Sequence, residues 1–579
     1  MTPLGLTALL LGGLLIPPAA TAAAAASTVP DLVLASVNDA VYLVEADVYD
    51  GSGASSTLDA DPRALLAGDP LSAGPLLAGR ILAADEFGVT TRRWSDRGWI
   101  SAPSDSVAST PFAGRAAQPL VVQWGVALAP DENPAATIAG ELALDNRDGG
   151  EDATADLGVD GRAVTIKRGA PDDAYDDFAT VFSGYGVAWQ VSPDELRLTL
   201  RARGYALSVP LAPRYGGTGG ADGGADIEGR PIPALYGTCR NVTPVLVSTA
   251  SLIFQVHGGR IGAVDAVYDR RVPLVFDGDY GSYAALAAAT ITAGRYATCL
   301  AAGLFRLAST PVYPITADIR GDASTATLDG GGYVSSPALM VRRILLDRGA
   351  LPLAALDLAA IEAAHAVSGG AAGIYFTDPV TVEDAVSAIC AGAFLRWGQN
   401  RDGTIAVWRI APPAAPAAAI GVVHLLDDPA LVPLPGSVDP CLWRVVAGYQ
   451  RNWTVMTDAD IAGAVSADDR QFARQPYRTA AQTDTARLSR NLLARSLDLP
   501  TIYDGEADAT TLASNLLTLF DQGRRLIEIT LPAGTHPLAL DDVHRLTHPR
   551  LGLAAGVDLR VVSLREDCGA RELSAVLFG

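Results

Sequence analysis

Apolar and polar residues alternate along much of the chain, and this pattern predicts β-strands. In the clearest case, Glu195–Arg201, three leucines alternate with polar residues, which is typical of a strand with one buried side and one solvent-facing side. Val41–Tyr49 alternates in part, and Asn146–Gly150 predicts a turn. We therefore expect a β-rich region from about residue 31 to residue 215, with sheets that each bury one face.

The stretch Glu228–Leu274 predicts short strands joined by turns. Pro231 and Pro233 favour an extended entry, because a proline also moves the residue before it out of the helical region. The predicted strands are Val245–Ser248, Leu252–Val256 and Ile261–Tyr268, with a corner at His257-Gly258-Gly259. The stretch lacks the spacing of a catalytic constellation, so we interpret it as scaffold.

Residues 331–410 change to a helical period followed by a hairpin. Ser336-Pro337 is a favourable start for a helix, and Thr381–Asp384 approximates a capping box with Asp in place of Glu. The predicted helices are Ala338–Arg348, Asp357–Ala366 and Thr381–Ala393, and the predicted hairpin strands are Phe394–Trp397 and Thr404–Arg409. Helices packed on a hairpin make a compact α+β module.

The remaining elements complete a prediction of five regions. Gly216–Gly229 is expected to be a flexible linker or exposed loop, Tyr283–Thr298 partly helical, and Ala411–Ala419 an extended linker. Near the C-terminus we predict strands Trp443–Gln450, Arg525–Leu531, Val557–Leu564 and Ser574–Phe578, and helices Thr485–Ser496 and Ala507–Gln522. The fold class is multidomain and mainly β with α+β modules. The predicted regions are an apolar segment 1–30, a β-rich domain 31–215, a Gly-rich loop and central β domain 216–330, an α+β domain 331–430 and a C-terminal β domain with helices 431–579.

The composition argues against a disordered protein and against a nucleic-acid-binding protein. At 579 residues, 49% of them hydrophobic, the chain can form several cores and is not disordered. The net charge is −21 and no basic run occurs, so specific nucleic-acid binding is not expected. Five cysteines stand singly and far apart, which predicts buried, reduced thiols in a protein assembled in cytoplasm.

Candidate chemistry is sparse. His544 and His548 have the spacing of a helical metal pair, but Val543–Thr547 predicts a strand and no Glu follows His544. A phosphate loop at Gly216–Gly229 is rejected, because prolines and not a helix follow it. We therefore predict no catalytic, cofactor-binding or metal residues and no hydrolytic activity.

Three further motifs have structural and functional interpretations. The acidic cluster Asp148–Asp152 fits neither register of a calcium loop, and we interpret it as a turn. Arg320-Gly321-Asp322 spells an adhesive tripeptide, and we expect it in a turn as well. Six tryptophans that could line a sugar platform are expected mainly in the core; they are Trp94, Trp99, Trp397, Trp408, Trp443 and Trp453. A glycosidase pair among the 64 acidic residues stays open, because only geometry can select one.

The N-terminal stretch Thr2–Ala26 contains no charged side chain. Three interpretations compete: a secretory signal without its basic region, a membrane-active segment, and an apolar segment packed within an assembly. We favour the packed segment and place membrane entry second. In the packed interpretation the segment is retained and needed for assembly or genome entry.

Several segments, in order along the chain, resemble tail-tip (baseplate or hub) proteins of long-tailed bacteriophages. The upstream ones are GELALDNRDGG (140–150), GRAVTIKRG (161–169), FATVFSGYG (178–186), PALYGTCRNVTPVLV (233–247) and LIFQVHGGRIGAVDAVYDRRVPL (252–274). The downstream ones are YATCLAAGLFRLAS (296–309), ITADIRGD (315–322), VAGYQRNWTVM (446–456) and LTHPRLGLAAG (546–556). These are scaffold motifs, and the family supplies no catalytic residues.

The resemblance implies a structural subunit with β-barrel or sandwich hub domains. Such a subunit would form part of a ring around the tail axis, threefold first and sixfold next, and support host attachment and genome delivery. The implied partners are copies of itself, other tail-tip and tail-tube proteins, and the host envelope through Thr2–Ala26. The implied location is the tail tip of the virion, after assembly in the host cytoplasm. An exported envelope-degrading hydrolase and an adhesin are the alternatives.

Overall fold

The computed structural model describes residues 40–49, 89–202 and 207–579. The predicted apolar segment 1–30, including Thr2–Ala26, lies outside these residues. Within them strands predominate and form several sheets, so the predicted mainly β class with helix-containing modules is confirmed. No helix in the three described ranges combines the length and apolarity that crossing a membrane requires.

The first part of the chain is almost entirely β. Its elements are β1 (Val41–Tyr49), β2 (Val89–Ser95), β3 (Trp99–Ile100), β4 (Pro111–Gly114), β5 (Ala116–Gly125), β6 (Thr137–Asp145), α1 (Asp152–Ala155), β7 (Ala163–Gly169), β8 (Ala179–Val191) and β9 (Glu195–Arg201). In β9 the predicted alternation is confirmed, because Leu196, Leu198 and Leu200 are all buried. The predicted turn follows β6 at residues 147–150.

The central part contains short strands and one short helix. Its elements are β10 (Ala234–Val242), β11 (Val245–Ser248), β12 (Ile253–Gln255), β13 (Ile261–Asp269), β14 (Val272–Pro273), β15 (Val275–Asp279), α2 (Tyr283–Ala288), β16 (Arg295–Cys299), β17 (Leu304–Leu307) and β18 (Ile315–Asp322). The prediction of a partly helical Tyr283–Thr298 is correct only for the first six residues. The β-branched residues 290–292 and Gly294, with φ near +78°, end the helix, and β16 follows.

The tripeptide Arg320-Gly321-Asp322 lies in β18, so the predicted turn is wrong. β18 pairs with both β10 and β13, and these two ladders hold the segment extended. A Cβ atom at Gly321 would lie 2.3 Å from the backbone oxygen of Leu235, so a close backbone approach requires the glycine. Asp322 is buried and not displayed for adhesion.

The predicted α+β module is present. Its elements are α3 (Pro337–Asp347), α4 (Leu358–Ser368), β19 (Gly373–Phe376), α5 (Val382–Ala393), β20 (Arg396–Gln399) and β21 (Ile405–Trp408). The capping box at α5 is confirmed: the Asp384 backbone N–H donates to the Thr381 hydroxyl at 3.1 Å, and the Thr381 N–H donates to the Asp384 carboxylate at 3.2 Å. Strand β19 was not predicted.

The last part mixes strands and helices. Its elements are β22 (Ala418–Gly421), β23 (Ala430–Val432), β24 (Leu442–Tyr449), α6 (Ala467–Ala473), β25 (Arg478–Thr483), α7 (Thr485–Arg490), β26 (Arg495–Pro500), α8 (Glu506–Leu519), β27 (Leu526–Pro532), β28 (Val543–Thr547), β29 (Val557–Asp567) and β30 (Glu572–Phe578). The predicted helix Thr485–Ser496 is too long. Parallel pairing of β26 with β24 overrides helix propensity from Arg495 onward, and Ala418–Ala419 of the predicted linker likewise joins a strand.

One sheet combines strands from both ends of the described chain. Its strand order is β23-β27-β30-β29-β5-β6-β9-β8-β7-β1-β2-β4-β3, with β28 on β29 and β22 on β28. The smaller sheets have the orders β14-β13-β18-β10-β19, β11-β12-β17-β16-β15, β20-β21 and β25-β24-β26. The β29–β5 pairing brings together residues more than 400 positions apart. The predicted domain boundaries stay predictions.

Candidate functional site

A cluster of charged side chains lies between strands β29 and β7 of the large sheet. Glu566 of β29 is fully buried and accepts hydrogen bonds from two arginines. Arg168 of β7 contacts one carboxylate oxygen, and the Arg401 guanidinium donates to the other at 2.6 Å. We call Arg168, Glu566 and Arg401 the Glu566 clamp. It joins the first part of the chain, the β20–β21 turn and the C-terminal sheet.

The groups around the clamp include an aromatic ring that stabilises one of its cations and a thiol that stays uncharged. The Arg401 guanidinium also lies over the Trp124 ring of β5, at 4.7 Å from the ring centroid. Burial, and then the negative charge of Glu566, raise the pKa of the neighbouring Cys568 thiol well above its usual range, so this thiol is protonated and unreactive. The arrangement is suited to holding strands together.

A second joint depends on Arg396, which is 1% exposed. Its guanidinium donates to the backbone oxygens of Ala127 at 2.6 Å and Ala129 at 2.9 Å, and so ties β20 to the segment between β5 and β6. Burial lowers the pKa of Arg396 to about 10, which leaves it a cation at neutral pH. Backbone dipoles therefore compensate this buried charge.

The central sheet meets the C-terminal part through polar pairs. The Arg240 guanidinium donates to both carboxylate oxygens of Asp504, at 3.1 and 2.8 Å. The Asn241 side-chain amide donates to the Asn452 side-chain oxygen at 2.8 Å, across 211 residues of chain. The Trp453 backbone N–H donates to the Arg240 backbone oxygen at 3.2 Å. These bonds fix the segment 451–454 against β10.

A third buried charge cluster connects β18 to α3. The Arg343 guanidinium, 1% exposed, donates to Asp322 at 2.5 Å and to Asp329 at 2.8 Å. His257 lies on the other side of Asp322, with 3.4 Å between its Nε2 atom and the carboxylate. Its Nδ1 atom accepts the Leu235 backbone N–H at 3.0 Å, which places the ring proton of the neutral form on Nε2, toward Asp322. We call this set the Arg343 cluster.

The pKa values in the Arg343 cluster follow from burial and neighbouring charge. Burial lowers the pKa of His257, although Asp322 opposes the shift. Burial alone would raise the pKa of Asp322, but the hydrogen bond from the neutral His257 ring, followed by Ser324 and the charge of Arg343, lowers it to about 2. His257 is thus neutral and Asp322 ionised at neutral pH.

The two histidines of the sequence motif face different carboxylates. Val543–Thr547 is the predicted strand, with His544 buried in it, and the nearest carboxylate oxygen, of Asp542, lies 3.9 Å from His544 Nε2. His548 faces a different carboxylate, that of Asp428, at 3.4 Å. Across the described ranges, no group of three or more His, Cys, Asp or Glu side chains is placed to hold a metal ion.

The other candidate motifs lie in structural surroundings. Arg115 forms a bidentate pair with Asp148, both contacts being 2.8 Å, so that carboxylate faces a guanidinium in the turn after β6. Trp94 and Trp397 are core residues, whereas Trp99, Trp408, Trp443 and Trp453 are half-buried in separate parts of the fold. All five cysteines are buried and unpaired with one another, as predicted.

Sequence reasoning missed the Glu566 clamp, although a signal was present. In β29 Glu566 shares the inward phase of Val562 and Leu564, and in β7 Arg168 shares that of Val164 and Ile166. A charged residue on the inward phase of an alternating strand predicts a buried ion pair. The partner could not be named, because 398 residues separate the two side chains.

Comparison with known proteins finds similarity at the level of structure. The 43 kDa tail protein of prophage MuSo2 from Shewanella oneidensis is 9% identical with a TM-score of 0.34, over 81% of this chain and 94% of that one. The tail protein from Neisseria meningitidis MC58 is 10% identical with a TM-score of 0.36, over 79% and 91%. A chain from the virion of a native gene transfer agent particle is 14% identical with a TM-score of 0.38, over 61% and 84%.

The chain is thus similar in structure to phage tail proteins, the class that its sequence motifs resemble. No protein-family model matches it, and neither does any curated protein sequence. TM-scores this low do not identify a function, which has to come from the chain's own residues.

Proposed function

We propose that the chain is a structural subunit of a bacteriophage tail, placed in the tail-tip or baseplate hub. In this role it forms part of a ring around the tail axis and supports host attachment and genome delivery. Its function lies in contacts between subunits and not in catalysis. Copies of the chain associate about a closed axis, threefold first and sixfold next, and contact other tail-tip and tail-tube proteins.

One observation carries the proposal: the motifs that resemble hub proteins coincide with the joints of the fold. Segment 161–169 contributes Arg168 to the Glu566 clamp, and segment 315–322 contributes Asp322 to the Arg343 cluster. Segments 233–247 and 446–456 meet through Asn241 and Asn452. The motifs therefore build rigidity between distant parts of the chain, which is what a load-transmitting subunit requires.

The state of the cysteines supports the proposal that the protein assembles in the host cytoplasm. All five are free and buried, which fits a protein that folds in a reducing compartment. An exported hydrolase or adhesin would meet an oxidising environment.

Cryo-electron microscopy of purified particles tests the proposal. We expect density for the large sheet and the α+β module around the axis at the tail tip, in three or six copies. Particles without this chain, or with the chain along the tube, would overturn it. Intact mass separates the exported alternatives, since export would remove about the first 26 residues.

A further inference from the structure

The connection between α7 and β26 displays two leucines on a β-turn. The Ala494 backbone N–H donates to the Asn491 backbone oxygen at 2.8 Å, so Leu492 and Leu493 occupy the central positions of the turn. These side chains are 84% and 76% exposed. Turn centres usually hold Gly, Pro, Asn, Asp or Ser, so two leucines are not explained by turn chemistry.

Hydrogen bonds from residues next to the turn to backbone oxygens of neighbouring elements hold it in place. The Arg487 guanidinium donates to the backbone oxygens of Leu442 and Leu517. The Arg495 backbone N–H donates to the Cys441 backbone oxygen at 2.8 Å. The leucines are thus presented on a rigid support, with the exposed cations Arg490 and Arg495 on either side. We call residues 490–495 the leucine knob.

A cavity with complementary properties lies elsewhere on the chain. It has a volume of about 180 Å³, and its apolar lining includes Leu211, Ile232, Phe376 and Val380. A cavity of about 150 Å³ accepts a benzene molecule, so this one has room for a leucine side chain. We call it the acidic pocket, because the exposed carboxylates of Asp378 and Asp384 also line it.

The lining of the acidic pocket is net negative. Arg214 also lines the cavity, where its guanidinium donates to the Gly229 backbone oxygen at 2.6 Å, but the two carboxylates outnumber this one cation. A second apolar cavity, lined by Phe394, Ile410 and Leu516, has Arg409 beside it, which would repel the knob. Charge therefore selects the acidic pocket.

The knob and the pocket lie near opposite ends of β24. Arg495 of the knob is in register with Leu442, the first residue of that strand. At the far end the chain continues to Trp453, which borders a cavity shared with Phe376 and Asp378 of the pocket. A strand of 8 residues spans about 26 Å, so a rigid knob cannot reach the pocket of its own chain.

We propose that the leucine knob of one copy inserts into the acidic pocket of a second copy. Leu492 or Leu493 fills the apolar cavity while Arg490 and Arg495 face Asp378 and Asp384. Because the two patches differ, the contact is heterologous and generates a ring when the rotation closes. The inference rests on the proposed self-associating tail subunit and names the surfaces that join its copies.

Charge favours a second copy over a lipid surface. The net charge of −21 repels an anionic membrane and another copy alike, so the local match decides: the acidic pocket places two carboxylates beside a cavity with room for a leucine side chain. The membrane is kept as an outcome of the test.

A pairwise cross-link tests the contact directly on the full chain. Leu492→Cys and Pro379→Cys are made as separate proteins, mixed, and treated with a short bismaleimide; the five native thiols are buried, so the introduced ones react first. We expect the mixture to give a mixed covalent dimer about tenfold faster than a mixture of Leu492→Cys with Val423→Cys, because docking raises the effective concentration. Val423 is 78% exposed and serves as the matched control. Equal rates in the two mixtures would overturn the proposal.

A charge exchange gives a second, independent readout. We expect Arg490→Asp/Arg495→Asp and Asp378→Arg each to lose self-association in sedimentation, and their mixture to recover it. Asp384 is left unchanged because it caps α5. If Leu492→Asp/Leu493→Asp abolishes binding to phosphatidylglycerol vesicles and leaves self-association intact, the knob is a lipid site and the proposal fails.

The outcomes separate this inference from the proposed function. Particles that contain the chain at the tail tip, together with absent cross-links, would reject only the knob–pocket contact. A chain that cross-links as expected but is missing from particles would reject the tail assignment alone.

Discussion

The Glu566 clamp and the Arg343 cluster are both buried ion networks, but they connect the chain over very different distances. In the clamp one carboxylate holds two arginines, 398 and 165 residues away. In the cluster one arginine holds two carboxylates, 21 and 14 residues away. The clamp therefore joins remote parts of the fold, whereas the cluster orients a helix against its neighbouring strand.

The clamp and the cluster are built from the same kinds of ion pair, but they connect residues at very different separations along the chain. A buried ion pair gains little net stability over a well-packed apolar pair, but removal of one partner is costly. The consequence of that removal depends on what the pair joins. Loss of the clamp should accelerate hydrogen exchange across the large sheet, whereas loss of the cluster should accelerate it only near α3.

The largest effect is expected for Glu566→Gln. The amide leaves two partly buried arginines facing a buried, uncharged partner, which should cost about 3–5 kcal/mol. Hydrogen exchange should accelerate in β7 and β29 together, because the clamp links both strands. A multidomain chain has no single free energy of unfolding, so the exchange of individual strands is the measurement.

Asp558→Asn is the matched control for the clamp. Asp558 pairs with Arg545 at 2.7 Å on the surface, where solvent screens the pair, so its loss should change hydrogen exchange far less than Glu566→Gln does. If both variants change exchange equally, or if β7 is unaffected by Glu566→Gln, the clamp does not hold β7 and β29 together.

A somewhat smaller and more local effect is expected for Arg343→Met. The change leaves Asp322 and Asp329 buried without their cation, at a cost of about 3 kcal/mol. Hydrogen exchange should accelerate in α3 and β18 and stay unchanged in β29. Acceleration that reaches β29 would remove the distinction between the two networks.

Local patterns predicted the elements well and the networks poorly. Strand β9, the α5 capping box and the strand at Val543–Thr547 follow from neighbouring residues alone, and each is confirmed. Both ion networks depend on strand order in space, which a single sequence does not contain. The adhesive tripeptide was misplaced for the same reason, because pairing on both sides overrides turn propensity.

His257→Phe should have an intermediate effect in the Arg343 cluster. The ring fills a similar space, but the Leu235 N–H and Asp322 each lose a partner, at a cost of about 2 kcal/mol. Burial lowers the pKa of His257, so its contribution is present above the usual imidazole pKa and lost as pH falls through the folded value. Exchange in β10 should therefore quicken on acidification in the parent and less so in the variant. Parallel pH profiles would show that His257 does not titrate with folding.

The smallest effect, and the only stabilising one, is expected for Asp347→Asn at the end of α3. Asp347 lies 3.8 Å from Arg343, which suggests an ion pair, yet its pKa is raised to about 6. Burial and the nearby carboxylates outweigh the effect of Arg343 on this pKa, because Asp322 and Asp329 already neutralise that cation. The carboxylate also lies at the negative end of the helix dipole.

Since its folded pKa is raised, the contribution of Asp347 to stability is present below the unfolded pKa and is lost as the pH rises through about 6. The variant should therefore match the parent below about pH 3.8 and exceed it by about 1 kcal/mol at pH 7.5, measured by hydrogen exchange of α3. A variant less stable than the parent at pH 7.5 would show that Asp347 is a net stabilising partner of Arg343, and the cluster would then have three carboxylates on its arginine.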